Sequence, residues 1–254
     1  MNFTKKLCLV LSAWMLLCSL SGCVSGGDVD YQGGTVTPNT TASKPASAPA
    51  STPAQTTTPT EAPDDGDENL SLGRVEGGVY TNNYAGFSCA LSSDWTFYTA
   101  DELQDLPDNI GDTMSGTELG DAMANYESII DMMAESVELL TSVNVTYTKL
   151  TMTDRLAYAV MSEEQIIDSI LAQKDSLIAA YAQAGITVHT IEKVTVTFMG
   201  QQRTAMHMEA DISGVAYYTL QFSYQHLGSY GVTLTLSSYV EDKTSDLMSL
   251  FSKV

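Results

Sequence analysis

Four consecutive segments near the C-terminal end alternate between apolar and polar residues, and this pattern restricts the fold more than any other feature. They cover residues 186–198, 201–212, 215–226 and 230–240. Gly200, Gly214 and Gly228 fall between them, where tight turns need glycine. A strand with one apolar and one polar face is typical of an antiparallel sheet that packs on one side and faces water on the other. The segments therefore predict an antiparallel meander.

One helix is predicted before the meander in the chain and another after it. Ser162 and Gln165 have the spacing of a capping box that begins a helix, and Gly185 is placed to end it. Between them, apolar residues recur on one side: Ile166, Ile167, Ile170, Leu171, Leu177, Ile178 and Tyr181. A last helix is predicted over about residues 243–253. The pattern predicts an α+β fold, an antiparallel β-sheet meander covered on one side by helices.

Residues 119–140 allow two interpretations. Tyr126, Ile130 and Met133 fall at helical spacing, which favours a helix. Residues 142–149 alternate as a strand does, however, and the apolar stretch 129–134 could pair with them as a second strand. Further upstream, Phe87, Cys89 and Leu91 share one parity and predict a half-buried strand.

The N-terminus has the pattern of an export signal. Lys5 and Lys6 precede an apolar run over residues 7–20, which is shorter than the roughly 20 residues of a membrane-spanning helix. The run ends in Leu20-Ser21-Gly22-Cys23, which resembles the lipobox of bacterial lipoproteins. The resemblance implies that residues 1–22 are a signal peptide and that Cys23 is lipidated, with palmitate among the expected acyl groups. We therefore expect a cell-membrane protein, lipid-anchored and facing outside the cytoplasm.

Residues 23–73 predict a disordered linker. Between Thr35 and Pro63, Thr, Pro, Ala and Ser occupy 24 of 29 positions. Such a stretch has too little apolar surface to offset the entropy of ordering its backbone. The folded head is therefore expected to cover residues 74–254.

The charge distribution is strongly acidic. The formal net charge is -20, and the segment between Val75 and Thr148 holds 13 acidic residues and neither Lys nor Arg. A nucleic-acid partner is excluded, because binding it requires basic side chains that replace phosphate counterions. The acidic stretch 94–138 could attract cations or form a solvated face. Residues 105–112 (DLPDNIGD) are its weak calcium candidate.

No constellation of catalytic or metal-binding residues is evident in the sequence. Cys89 lies on the apolar parity of its strand, which predicts a buried thiol rather than a nucleophile. His189 and His207 lie on the polar parity, so we expect both to be exposed, and His226 falls at a strand end. We expect no metal and no cofactor. Tyr217 and Tyr239 are the best candidates for contacting a ligand, because they also fall on the polar parity.

The order of short motifs resembles a known group of head domains. Tyr84-Ala85-Gly86-Phe87 and Asp94-Trp95 precede the capped helix and the meander, and Tyr239-Val240-Glu241-Asp242 leads to the final helix. This layout is similar to small bacterial lipoproteins with a PsbP/Mog1-like or DcrB-like head. The resemblance implies a non-enzymatic extracytoplasmic head, favours a strand over 129–134, and supplies no catalytic residue.

Three functions are compatible with these observations. The first is a non-catalytic head that binds an envelope component, a protein or a small ligand. The alternatives are a hydrolase acting on envelope polymers and the ligand-capture subunit of a transporter. Because no nucleophile motif is present and a single meander is small for a two-lobed capture protein, we favour the first.

Overall fold

A computed structural model describes residues 70–104, 128–183 and 185–254. The predicted signal peptide, Cys23, the linker up to residue 69 and the calcium candidate 105–112 lie outside these residues. Within them, no helix has both the length and the apolar character needed to span a membrane.

A seven-stranded antiparallel sheet forms the centre of the head. Its strands are β4 (Thr96–Phe97), β5 (Ser128–Ser136), β6 (Thr141–Lys149), β7 (Ile186–Phe198), β8 (Gln201–Ile212), β9 (Val215–Leu227) and β10 (Tyr230–Tyr239), in the order β4-β5-β6-β10-β9-β8-β7. The predicted meander is confirmed as β7–β10. Met199 and Gly200 both have positive φ, as do Ser213 and Gly214, which is the conformation of two-residue hairpin turns.

A second antiparallel sheet of four short strands lies over one face of the first. It consists of β1 (Arg74–Glu76), β2 (Val79–Asn82), β3 (Phe87–Ala90) and β11 (Phe251–Lys253), in the order β1-β2-β3-β11. Phe87 and Cys89 are fully buried. The predicted half-buried strand around them is confirmed.

Three helices connect the two halves of the large sheet: α1 (Met152–Val160), α2 (Glu163–Leu171) and α3 (Lys174–Gln183). The capping box is confirmed, since the Ser162 hydroxyl accepts from the Gln165 backbone and the Gln165 side chain accepts from the Ser162 backbone. Gly185 has a φ of 81° and ends the helical region as predicted. The prediction of one continuous helix between Ser162 and Gly185 is wrong, because the helix is interrupted after Leu171. Two shorter helices can follow the sheet separately: α2 packs on β7 and β8, and α3 packs on β7.

Both faces of the large sheet are packed. One apolar cluster joins it to α2 and α3, and a second joins it to the four-stranded sheet. The predicted wet face is therefore wrong for the central strands, and every residue of β10 is buried. Polar side chains on the helix side form hydrogen bonds with one another in place of water. Gln221 Nε2, for example, donates to Oγ1 of Thr235 on the neighbouring strand at 3.3 Å.

Tertiary pairing decides between the two interpretations of residues 129–134 and corrects the predicted last helix. Residues 129–134 are a strand and not a helix, because β5 hydrogen-bonds to β4 on one side and β6 on the other. The last helix is also shorter than predicted: α4 (Thr244–Leu247) gives way to a 3₁₀ turn (Met248–Leu250) and then to β11. Phe251 pairs with Cys89 at the open edge of β3, and its buried ring favours the strand over further helix.

Candidate ligand cavity beside Asp131

A β-bulge positions the Asp131 carboxylate, which lines a large cavity. Ile130 pairs with Thr146 and Met132 with Val145, which are adjacent on β6, so Asp131 is the extra residue of β5. Ile130 packs on the helix side of the sheet, whereas Met132 packs toward the four-stranded sheet. The bulge directs the Asp131 carboxylate toward the four-stranded sheet as well.

Three groups from the N-terminal part of the head donate hydrogen bonds to this carboxylate. The Gly73 amide lies 2.9 Å from Oδ1 and 3.0 Å from Oδ2. The Tyr80 hydroxyl and the Asn82 amide nitrogen donate to Oδ2 at 2.5 and 2.7 Å. Asp131 thereby connects β5 to the start of the small sheet.

The residues behind the carboxylate form a rigid, fully buried support. Tyr80, Asn82 and Tyr147 have no exposed surface. Asn82 Nδ2 lies 2.8 Å from the Tyr147 hydroxyl and 2.9 Å from that of Tyr80, and Asn82 Oδ1 accepts from the Ala85 amide at 2.7 Å. Because each polar atom has a partner, the Asp131 side chain is held in one orientation.

Burial shifts the pKa of each ionisable group in this cluster. Burial raises the pKa of Asp131, although the hydrogen bonds from Tyr80, Gly73 and Asn82 oppose that shift. Burial and the nearby Asp131 charge also raise the pKa of Tyr80 and Tyr147, so both phenols stay protonated. In the described part of the chain, no Lys, Arg or His forms an ion pair with Asp131.

A cavity of about 520 Å³ opens beside Asp131. Its described lining is Leu72, Gly73, Ala100, Leu103, Gln104, Ser128, Ile129, Ile130 and Asp131. A neighbouring cavity of about 380 Å³ shares Gly73, Ala100, Leu103 and Asp131 with it. An apolar wall with a few convergent polar groups, at this volume, is typical of a small-molecule site.

The described lining of both cavities offers one carboxylate, backbone groups and a few polar side chains to a ligand. Asp131 is the single carboxylate among the described lining residues of both cavities, whereas glycoside hydrolysis uses two carboxylates. The protonated Tyr80 phenol donates to Asp131, whereas the Tyr147 hydroxyl accepts from Asn82 Nδ2. The described residues also contain no group of three or more His, Cys, Asp or Glu side chains placed to hold a metal ion.

The residues singled out from the sequence lie elsewhere. Cys89 is buried as predicted, and burial raises its pKa to about 12. His189 is exposed as predicted and lies 2.9 Å from Asp211. His207 is not exposed as predicted: its side chain is only 17% accessible and lies 2.9 Å from Asp242. The backbone of His226 lies near the end of β9, as expected.

The prediction that Tyr217 and Tyr239 contact a ligand is wrong, because both are buried. Tyr217 and Tyr239 are 1% and 6% exposed, and their ring centroids are 5.0 Å apart. They belong to the apolar cluster under the helices, because the face they occupy is covered rather than wet.

Sequence reasoning missed Asp131, although one signal was available. Asp131 interrupts the apolar stretch Ile129–Ala134, and a charge within a buried strand requires a specific reason. The bulge, however, depends on the pairing of β5 with β6, and the Gly73 contact joins residues 58 positions apart, so neither could be read locally.

Comparisons with known proteins add a similarity in fold. No protein-family model and no curated protein matches the chain. Among solved structures, it is similar to the solution structure of cyanobacterial PsbP (CyanoP) from Synechocystis sp. PCC 6803. The two are 10% identical, with a TM-score of 0.38 over 74% of this chain and 96% of that chain. This similarity concerns the backbone arrangement alone.

Proposed function

We propose that this chain is a lipid-anchored extracytoplasmic protein whose non-catalytic head binds a small ligand in the cavity beside Asp131. The anchor is supported by the lipobox at Cys23 and by the Thr/Pro-rich stretch that follows it. The ligand-binding role is carried by one observation: a preorganised carboxylate at the wall of a largely apolar cavity.

Anchoring is tested by metabolic labelling with palmitate. Wild-type protein should incorporate label and remain with the membrane fraction, whereas Cys23→Ser should do neither. Cys8→Ser is the matched control, because Cys8 also lies within the signal region but outside the lipobox. Equal labelling of wild type and Cys23→Ser would exclude the proposed anchor.

Ligand binding is tested by thermal denaturation of the chain from Cys23 onward, carrying Cys23→Ser, in the presence of small amines, sugars, peptides, peptidoglycan fragments and calcium. A ligand at 100 times its Kd stabilises the folded state by about 2.7 kcal/mol. Leu103→Trp is the comparison variant, because a larger side chain at this lining position should fill the cavity. A ligand of this site raises the Tm of wild type and not that of Leu103→Trp. Turnover of any tested compound would contradict the non-catalytic assignment.

A further inference from the structure

We infer that the cavity beside Asp131 selects a small organic cation, an ammonium group carried on an apolar carbon skeleton. This inference rests on the proposed function, which gives the cavity a binding role, and it specifies the class of ligand. It follows from the acceptor positions left on Asp131, the charge of the surroundings and the character of the cavity wall.

The first step concerns the Asp131 oxygens. Oδ2 accepts from Gly73, Tyr80 and Asn82, whereas Oδ1 accepts from Gly73 alone among the described residues. A carboxylate offers about four acceptor positions, two on each oxygen. Oδ1 therefore retains an acceptor position on a side chain that lines the cavity.

The second step concerns charge. The described lining of the cavity contains Asp131 and no basic residue. Arg74 is next to Gly73 in the chain, but its side chain is 71% exposed and lies 3.9 Å from Glu76. An anionic ligand would meet an unopposed carboxylate, whereas an ammonium group would form a charge-assisted hydrogen bond with it.

The third step concerns the remaining wall. Gln104 and Ser128 are the other polar side chains in the described lining, and each offers an oxygen acceptor to an ammonium hydrogen. Leu72, Ala100, Leu103, Ile129 and Ile130 supply apolar surface. A hydrated metal ion would gain nothing from this surface, whereas the carbon skeleton of an organic amine would be removed from water.

The test compares n-hexylamine with 1-hexanol by isothermal titration at pH 7, using the chain from Cys23 onward with Cys23→Ser. The two probes share a six-carbon skeleton, and at this pH the amine is charged, as lysine is. We expect hexylamine to bind wild type at least tenfold more tightly than hexanol. Equal affinities would overturn the inference.

A pair of variants at Leu72 tests the role of charge while leaving Asp131 intact. Leu72 lines the cavity and is 49% exposed, so a polar side chain is tolerated there. Leu72→Arg places a cation of the protein beside Asp131 and should weaken hexylamine binding at least tenfold without the same loss for hexanol. Leu72→Gln, the matched uncharged control, should keep both affinities. Unchanged hexylamine binding to Leu72→Arg would contradict the inference.

A second pair removes the carboxylate itself. Asp131→Asn should reduce hexylamine affinity at least tenfold, whereas Asp168→Asn should not, because Asp168 on α2 pairs with Lys193 on β7 and is not among the described lining residues. If Asp131→Asn does not fold, the Leu72 pair decides the question. Binding of both probes with equal strength, abolished by Leu103→Trp, would retain the ligand-binding head and reject the ammonium preference. Binding of neither probe would reject this inference, and the thermal screen would then decide the proposed function separately.

Discussion

Replacing Gly73 with Ala tests whether Asp131 fastens the start of the folded head to the large sheet. A Cβ atom at Gly73 would lie 2.2 Å from Cε2 and 2.6 Å from Cζ of Tyr80, well inside van der Waals contact. The backbone of Gly73 is outside the left-handed region, so alanine adds no torsional strain there. The effect of the methyl group is therefore purely steric.

Two responses can relieve this clash, and their costs differ. Moving the buried Tyr80 ring would disrupt the core, and losing a large aromatic residue from a core costs about 3–5 kcal/mol. Moving the segment around Gly73 loses its hydrogen bonds to Asp131, and bonds to a charged group contribute about 1.5–3 kcal/mol. Because all three residues of β1 are exposed, the second response is cheaper. We expect Gly73→Ala to lower the free energy of unfolding by about 1.5–3 kcal/mol.

The measurement combines urea denaturation with amide hydrogen exchange. The Gly73 amide and the β1 amides should exchange faster in Gly73→Ala than in wild type. Gly200→Ala is the control, because Gly200 has a φ of 79° and open space around its Cβ position. It should lose about 1 kcal/mol through backbone strain, leaving Gly73 exchange unchanged. A Gly73→Ala variant as stable as wild type, with normal exchange at Gly73, would refute the proposed fastening role.

Three further predictions concern other parts of the head. Burial raises the folded-state pKa of Asp131, so its ionisation costs stability above the unfolded pKa of roughly 3.9 and that cost is absent below it. The unfolding free energy of wild type minus that of Asp131→Asn should therefore fall between pH 3 and pH 7; an increase in urea titrations would contradict this. Ser162→Ala should destabilise the head by about 1 kcal/mol, because it removes the cap of α2, and an unchanged urea midpoint would show that the cap contributes nothing. The Cys89 thiol, with a pKa raised to about 12, should react with a disulfide reagent at pH 8 only after denaturation, and rapid labelling of native protein would disprove its burial.

The hairpins of the meander could be predicted because their determinants are local. A two-residue turn with positive φ and flanking alternation specifies which residues pair, as between β7 and β8 around Met199 and Gly200. The helix cap at Ser162 is local for the same reason, since its hydrogen bonds span three residues.

The candidate site could not be predicted, because its parts are distant in the chain. Asp131 stands out in sequence only as a charge within an apolar stretch, and its place at the cavity depends on the bulge in β5 and the approach of Gly73. The burial of Tyr217 and Tyr239 could not be predicted either. Their parity along the strands predicted exposure, but the helices cover that face of the sheet.

Alternation, turn residues and caps were sufficient by themselves to determine an α+β head with an antiparallel meander, because each acts over a few residues. The tertiary structure decided which faces are buried, whether 129–134 and 251–253 are strands, and where a cavity meets a carboxylate. These outcomes depend on packing and pairing between segments far apart in the chain, whose energies outweigh the weak local preferences of each segment.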